Sequence, residues 1–312
     1  MKIPVGISSC LLGEKVRYDG GHKNDAYING TLSEYFEFKP FCPEMAIGLG
    51  VPRKTIRLVQ VDEEVRCMGS DADAVDVTDK LSQCASEQKS WQQQLCGYIF
   101  KKDSPSCGME RVKVFINGQP HKKGSGIYAR TTMENFPWLP VEEEGRLGDP
   151  RLRENFIQRV YILYRWYQLM AEGMTVHKLG HFHSRHKLIL MSHSQTGCQT
   201  LGQLVAGVTK DSLAEDADRY LLSMMSTLKK IATRPNHVNV LQHIQGYLKK
   251  NLDTDDKAEL SEVIRRYADE ELPLIVPVTL LRHHFRKSPD EYIANSYYMA
   301  PHPQELKLLN LL

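Results

Sequence analysis

Ile3-Pro4-Val5-Gly6-Ile7 runs straight into Ser8-Ser9-Cys10-Leu11-Leu12-Gly13. A short apolar run that ends in a small, polar, glycine-closed segment reads as a β-strand delivering a cysteine at its carboxyl end. The arrangement recurs twice: Cys42 follows Tyr35-Phe36-Glu37-Phe38-Lys39-Pro40-Phe41, and Cys107 follows Tyr98-Ile99-Phe100-Lys101-Lys102. In open α/β sheets, ligands bind where loops leave the carboxyl ends of the strands. Cysteines on three such loops can therefore converge despite their wide separation in sequence. Three thiolates meeting at a sheet edge would make a metal or iron–sulfur site with one open position. In zinc sites, an open position marks catalytic centres and a closed one structural centres.

The bulk numbers set the frame around these strands. A chain of 312 residues, 41% hydrophobic and 25% charged, suits a globular protein of about two domains with a proper core. No apolar stretch is long enough to span a bilayer, since even 160–170 is interrupted by Arg165. Met1-Lys2-Ile3-Pro4 enters the first strand without a signal peptide, so a cytoplasmic location is expected. Seven cysteines in such a chain argue for thiols and metal ligands over disulfides.

The grammar changes along the chain. Residues 1–147 read as mixed α/β, an open and mainly parallel sheet, with further strands at 55–61, 97–101 and 112–116. Asn117-Gly118 signals a hairpin, and Thr78 is placed to cap a helix through Leu81, Gln88 and Leu95. Glu142-Glu143-Glu144-Gly145-Arg146-Leu147-Gly148 reads as a charged linker, after which Asp149-Pro150 gives a helix start. Residues 148–312 then show helical spacing only, with helices expected near 175–192, 198–208, 211–231, 236–250 and 254–271. An all-α second domain follows.

Net charge is only +2, yet 151–210 holds eight basic residues against two acidic ones. Arg151, Arg153, Arg159, Arg185 and Lys187 fall in that run. A basic surface points to a polyanionic partner, and a solvated helix face is the plainer alternative. His177, His181, His183 and His186 are read as helix-surface or RNA-facing residues before a second metal site, because no acidic or cysteine partner completes a local set.

Cys67, Cys84, Cys96 and Cys198 read as buried, incidental thiols. The surroundings of Cys10, Cys42 and Cys107 are more specific, each rich in serine, proline or glycine, although the common two-residue ligand spacings are absent. Glu44, two residues past Cys42, has two open readings: a carboxylate favoured at a helix N-terminus, or an acid–base group beside a metal. Ser104 and Ser106 could cap a turn or donate to charge developing on a substrate. Arg17 and His22, around the Asp19-Gly20 turn, could form a polar lip over the site, and Arg53 could contact an anion.

Taken together, Ser9-Cys10-Leu11-Leu12-Gly13 with Arg17-Tyr18-Asp19-Gly20, Cys42-Pro43-Glu44, and Lys102-Asp103-Ser104-Pro105-Ser106-Cys107-Gly108 resemble the TudS-like thiouracil desulfidases over roughly residues 3–140. The helical half, with Ser184-Arg185-His186-Lys187 and Leu201-Gly202-Gln203-Leu204-Val205-Ala206, is similar to the domain fused to them in a subgroup that removes sulfur from 4-thiouridine in transfer RNA. The resemblance implies that Cys10, Cys42 and Cys107 hold a 4Fe-4S cluster whose fourth iron takes the substrate sulfur. It also implies catalytic roles for Glu44, as base for the attacking water, and for Ser104, in proton shuttling. Net desulfidation is a hydrolysis that needs no electron donor. With transfer RNA as substrate, the basic run 151–210 is a natural place for phosphate contacts, and the target base must leave its stack. No obligatory protein partner and no membrane are implied. Two rivals stand beside this reading. Sulfur insertion would need an ATP-type phosphate loop, and the sequence contains none. A non-catalytic iron–sulfur protein that binds RNA or senses redox state would bind without turnover.

Overall fold

Strand β1 (Ile3–Ser8) is followed by α1 (Ala26–Gly30), β2 (Phe36–Phe41), α2 (Pro43–Ala46), β3 (Ile56–Val61) and β4 (Glu64–Gly69). Then come α3 (Thr78–Glu87), α4 (Lys89–Gln92), β5 (Tyr98–Phe100), β6 (Val112–Ile116), β7 (Gln119–Gly124), α5 (Ile127–Asn135) and β8 (Val141–Glu143). The computed structural model describes residues 2–71, 75–303 and 306. The chain divides into two units, Met1–Asp149 and Pro150–Leu312.

The strands of the first unit form two four-stranded sheets where the sequence suggested one. The first has the order β2-β1-β5-β8 and is wholly parallel. Strands β5 and β8 are buried at every residue and β1 at all but one, as expected of a parallel sheet covered on both faces. Strand β2 lies at the edge, where Pro40 withholds no ladder hydrogen bond that a neighbour needs. Gly6 is required inside β1, because a Cβ there would stand 2.4 Å from the Tyr98 ring. The second sheet, β4-β3-β6-β7, joins two antiparallel hairpins through a parallel β3–β6 pair. Asn117 and Gly118 both take positive φ, which gives the expected tight turn between β6 and β7. Apolar periodicity locates strands but does not say which sheet they join.

Two local expectations are corrected. The helix expected from Thr78 to Leu95 ends at Glu87 and a separate short turn follows, while Thr78 Oγ1 accepts from Cys67 N instead of capping its own helix. Val77 is the N-cap and makes no side-chain capping bond, while Asp76, one residue earlier, accepts from Thr78 N at 2.9 Å. The charged segment read as a linker supplies β8, and Glu142 and Glu143 are almost wholly buried in it. Their carboxylates are satisfied locally: Glu142 pairs with Arg146, and Glu143 accepts from Met109 N at 2.8 Å.

The second unit contains α6 (Pro150–Ala171), α7 (Val176–His193), α8 (Gln195–Gly207), α9 (Leu213–Lys229), α10 (Arg234–Tyr247), α11 (Thr254–Ala268), α12 (Ile275–Lys287) and α13 (Glu291–Asn295). Among the described residues it has no strand. Thr175, Ser194, Thr233, Asp253 and Asp290 each accept from a backbone N–H of the first turn, which fixes five helix starts. Trp166, Phe182 and Tyr220 pack as an aromatic group between α6, α7 and α9. Helices α12 and α13 were not expected from the sequence. No helix of the described residues is long and apolar enough to cross a membrane.

This unit buries neutral histidines. His183 meets Tyr220 Oη at 3.1 Å, His237 meets Tyr298 Oη at 2.9 Å, and His193 donates from Nδ1 to the Lys230 carbonyl. Burial lowers His183 and His193 from 6.5 to about 4, and His237 to about 3. The unfolded chain therefore takes up protons below pH 6.5 that the folded chain refuses until about pH 4. Stability falls as pH drops through that window, by up to about 2 kcal/mol per histidine at pH 5. Urea melts of the full chain at pH 7 and pH 5 check this, and equal midpoints would contradict it.

Candidate active site

The parallel order β2-β1-β5 sets the carboxyl ends of three cysteine-bearing strands side by side. After β1 the chain turns through a 3-10 segment, Ser9–Leu12, that carries Cys10 and closes at Gly13 in a left-handed conformation. Cys42 is the residue between β2 and α2, with Pro43 at the first helical position. Cys107 lies on the turn after β5, where Gly108 N donates to Ser104 O at 2.7 Å. Gly126 lets this turn lie against the start of α5, since a Cβ there would come within 2.5 Å of the Ser106 carbonyl carbon.

Cys10, Cys42, Cys107, Glu44, Ser104 and Ser106 all line one cleft of about 310 Å³. Cys10 and Cys107 are buried and Cys42 half-buried. Burial pushes the Cys10 thiol up to about 11, with the Lys101 charge pulling the other way. Burial raises Cys42 and Cys107 as well, and the neighbouring Cys42 adds to the rise at both Cys10 and Cys107. Each thiol stays protonated at neutral pH, and a metal that claims the thiolates must displace those protons. Among the described residues, no three His, Cys, Asp or Glu side chains stand close enough to share a single metal ion. The other four cysteines are buried away from the cleft lining, as expected.

A continuous chain of hydrogen bonds crosses the cleft. Arg53 donates from Nε and Nη2 to Glu44 Oε2 at 2.8 and 2.6 Å. Ser106 Oγ donates to the other oxygen, Oε1, at 2.6 Å. Ser104 Oγ lies 3.0 Å from Ser106 Oγ and accepts from Cys107 N at 3.1 Å. The sequence weighed both serines alike, and the resemblance singled out Ser104. Ser106 is the one that touches Glu44.

Arg53 is committed to the protein. It also donates to Gly50 O and Val16 O, its N–H bonds Tyr18 O, and its side chain is 6% exposed. The anion contact expected for it is thus corrected: its anion is Glu44. Through Val16 and Tyr18 it also tethers the lip loop, where Arg17 lines the cleft, lies 5.4 Å from the Tyr18 ring centre and pairs with Asp19. His22 accepts from Asn24 N and is not among the lining residues, so the lip contains one of its two expected members. Arg53→Met leaves the half-buried Glu44 with Ser106 as its remaining side-chain donor, so a loss of about 1–3 kcal/mol in stability is expected from thermal or urea unfolding. A loss below 1 kcal/mol would show that the pair is not holding the loops together.

Lys101 and Lys102 were not singled out by sequence, yet both line the cleft. Glu144 holds them, pairing with Lys101 and accepting from Lys102 N at 2.7 Å. The only signal was the Glu142-Glu143-Glu144 run, which a charged linker explained as well.

Residues 5–144 match the 2-thiouracil desulfurase family. Residues 187–303 match DUF1722, a family of proteins of unknown function. The desulfurase match lies wholly within the first unit and the other wholly within the second. The uncharacterized protein YbgA of Escherichia coli (strain K12) is 28% identical over 51% of this chain and 94% of its own length. The uncharacterized protein YbbK of Bacillus subtilis (strain 168) is 29% identical over 39% of this chain and 85% of its own. A solved structure of the [4Fe-4S]-dependent thiouracil desulfidase TudS aligns with a TM-score of 0.38 and 26% identity, over 47% of this chain and 95% of that one.

In the second unit the basic candidates separate. Lys187 and Arg151 are exposed and Arg153 is half-buried. Arg159 is 5% exposed, on the inner face of α6, with Nε bonded to Asn155 Oδ1. Its expected phosphate contact is therefore corrected. Arg185 is half-buried, donates to Asn295 O and lies 4.1 Å from the Tyr297 ring centre. It ties α7 to the segment after α13. The four histidines also divide: His177 and His181 are exposed, while His183 and His186 are core residues, His186 bonding Phe182 O from Nδ1.

Proposed function

We propose that this protein removes sulfur from 4-thiouridine in transfer RNA, giving uridine and sulfide, with a 4Fe-4S cluster held by Cys10, Cys42 and Cys107. The observation that carries the reading is the convergence of these three thiols on one cleft beside Glu44. The desulfurase match over residues 5–144 supports it. The donor set suits such a cluster. Thiolates are its usual ligands, and three cysteines line the one cleft. The cleft, of about 310 Å³, is at the small end of ligand pockets, roughly 300–1,000 Å³.

When bound, the cluster would supply a Lewis-acidic iron able to accept sulfur. The protein's own part is to bind and orient the base and to move protons. Glu44, clamped by Arg53, takes the proton of the water that attacks the thiolated carbon. Ser104 shuttles protons at the cleft face. Arg17, Lys23 and Lys102 line the same cleft and set a positive field for a nucleotide's phosphate.

The transfer RNA part of the reading draws on the second unit. Exposed Lys187 lies on a groove of about 640 Å³ with Gln199, Asn239, His243 and Tyr292. Amides and an aromatic ring are the groups that read unstacked bases in RNA. The test compares kcat/KM for thiolated transfer RNA and for free 4-thiouracil in wild type and Lys187→Ala. A several-fold loss and a shallower salt dependence on the RNA, with the free base unaffected, are expected. Equal loss on both substrates, or none on the RNA, would remove this groove from the account.

A further inference from the structure

We propose that the second unit holds a binding site for a ribonucleoside, in a cavity walled by the start of α6, the loop before α10, the end of α11 and the start of α12. The cavity is about 410 Å³ and shares no lining residue with the cysteine cleft or the Lys187 groove. Two of its polar groups are not used by the fold. Tyr267 is 4% exposed, yet its Oη makes no hydrogen bond among the described residues. The same holds for Nε2 of His237, whose Nδ1 meets Tyr298 Oη at 2.9 Å. Polar groups inside folded proteins are as a rule paired, so an idle hydroxyl in a cavity wall marks the place of a partner. Burial pushes the Tyr267 hydroxyl up to about 12, so it keeps its proton and is a donor at neutral pH.

The lining selects the class of ligand. Arg151 and Arg234 line the cavity together with Glu154 and Glu270, so the formal charge sums to zero and a neutral molecule is favoured over an anion. Arg234 is also engaged by the protein, donating to the Tyr267 carbonyl and lying 3.7 Å from Glu270. Burial keeps His193 and His237 uncharged at neutral pH, so they add nothing to the balance. Ile231, Leu274 and Val278 supply an apolar wall. Ile231 is still 39% exposed, and a flat ring settling on it removes apolar surface from water. A ribonucleoside meets these demands together. Its base has apolar faces and a polar edge for groups such as Tyr267 Oη and His237 Nε2. Its sugar hydroxyls donate to a carboxylate such as Glu154. Ribose alone lacks the apolar faces, and inorganic phosphate lacks them and is charged. A free nucleoside and an unstacked nucleotide of an RNA, its phosphates left outside, share this chemistry.

The test measures binding to the cluster-loaded full chain and needs no turnover, so an inactive enzyme would sink the desulfidase reading while still deciding this one. Adenosine, guanosine, cytidine and uridine are each titrated by equilibrium dialysis, beside ribose and inorganic phosphate, and the affinity for transfer RNA is measured in parallel. Two variants are compared with wild type. Tyr267→Phe removes only a hydroxyl that the fold does not use, so its unfolding midpoint should stay at the wild-type value. Ala232→Phe places bulk on the loop that lines the cavity. Saturable binding of at least one nucleoside is expected, weakened about three- to tenfold in Tyr267→Phe, the loss of one hydrogen bond, and abolished in Ala232→Phe. The RNA arm separates the sources. Transfer RNA affinity that falls by the same factor in Tyr267→Phe assigns the cavity to a nucleotide of the RNA, and unchanged RNA affinity assigns it to a free nucleoside. Nucleoside binding that is equal in wild type and both variants, binding matched by ribose or phosphate, or no nucleoside binding together with unchanged RNA affinity in both variants would overturn the proposal.

Discussion

Cys107→Ala is expected to abolish turnover altogether, by a factor of at least about 10³, and to strip the protein of its iron. Cluster ligation by thiolate is the step on which everything else depends, and two remaining cysteines cannot hold what three hold. The fold should survive. Cys107 is 6% exposed, and removing a buried sulfur costs about 1–2 kcal/mol, in the ordinary range for a single substitution. The informative contrast is Cys96→Ala. Cys96 is 1% exposed and absent from the cleft lining, so it should cost similar stability and leave iron and activity untouched. Iron analysis and the visible absorption of the anaerobically reconstituted proteins give the answer. Iron retained in Cys107→Ala, or lost in Cys96→Ala, would contradict the assignment.

Glu44→Gln is expected to act on a different quantity. Iron content should stay at the wild-type level, because the residue is not a cluster ligand in this account. Turnover should fall by roughly 10² to 10⁴, the usual contribution of a positioned acid–base group. That corresponds to about 3–5 kcal/mol of lost transition-state stabilisation. The amide can still accept from Arg53 through its oxygen, but its NH₂ would then face Ser106 Oγ, which donates to Oε1 in the wild type. The variant therefore removes the proton acceptor together with the hydrogen bond it takes from Ser106. Measured kcat in the glutamine variant within threefold of wild type would show that Glu44 serves only to anchor Arg53.

Much of the first unit was legible because its decisive strands announce themselves. β1, β2 and β5 are short, apolar or aromatic runs, each ending in a loop whose serine, proline and glycine content permits close backbone approach. Their adjacency was not legible. It follows from the pairing β2-β1-β5, which depends on crossovers that local spacing does not encode. β8 was hidden for a different reason. Its two buried glutamates read as solvated charge until Arg146 and Met109 N are known to satisfy them. The same limit explains Arg159. Composition counts it as basic surface, yet it lies one turn from Asn155 on the helix face that buries Phe156, Val160 and Leu163. Ser106 shows the converse: the sequence offered two serines of equal standing, and only the loop geometry separates the one that reaches Glu44.

The most direct measurement is anaerobic incubation of the cluster-loaded full chain with transfer RNA containing 4-thiouridine, followed by nucleoside mass spectrometry and sulfide assay. Loss of 4-thiouridine matched by equal gains of uridine and sulfide over many turnovers is the expected result. RNA bound without any conversion, with the cluster verified intact and free 4-thiouracil also unchanged, would contradict the account and leave a non-catalytic iron–sulfur RNA-binding protein in its place.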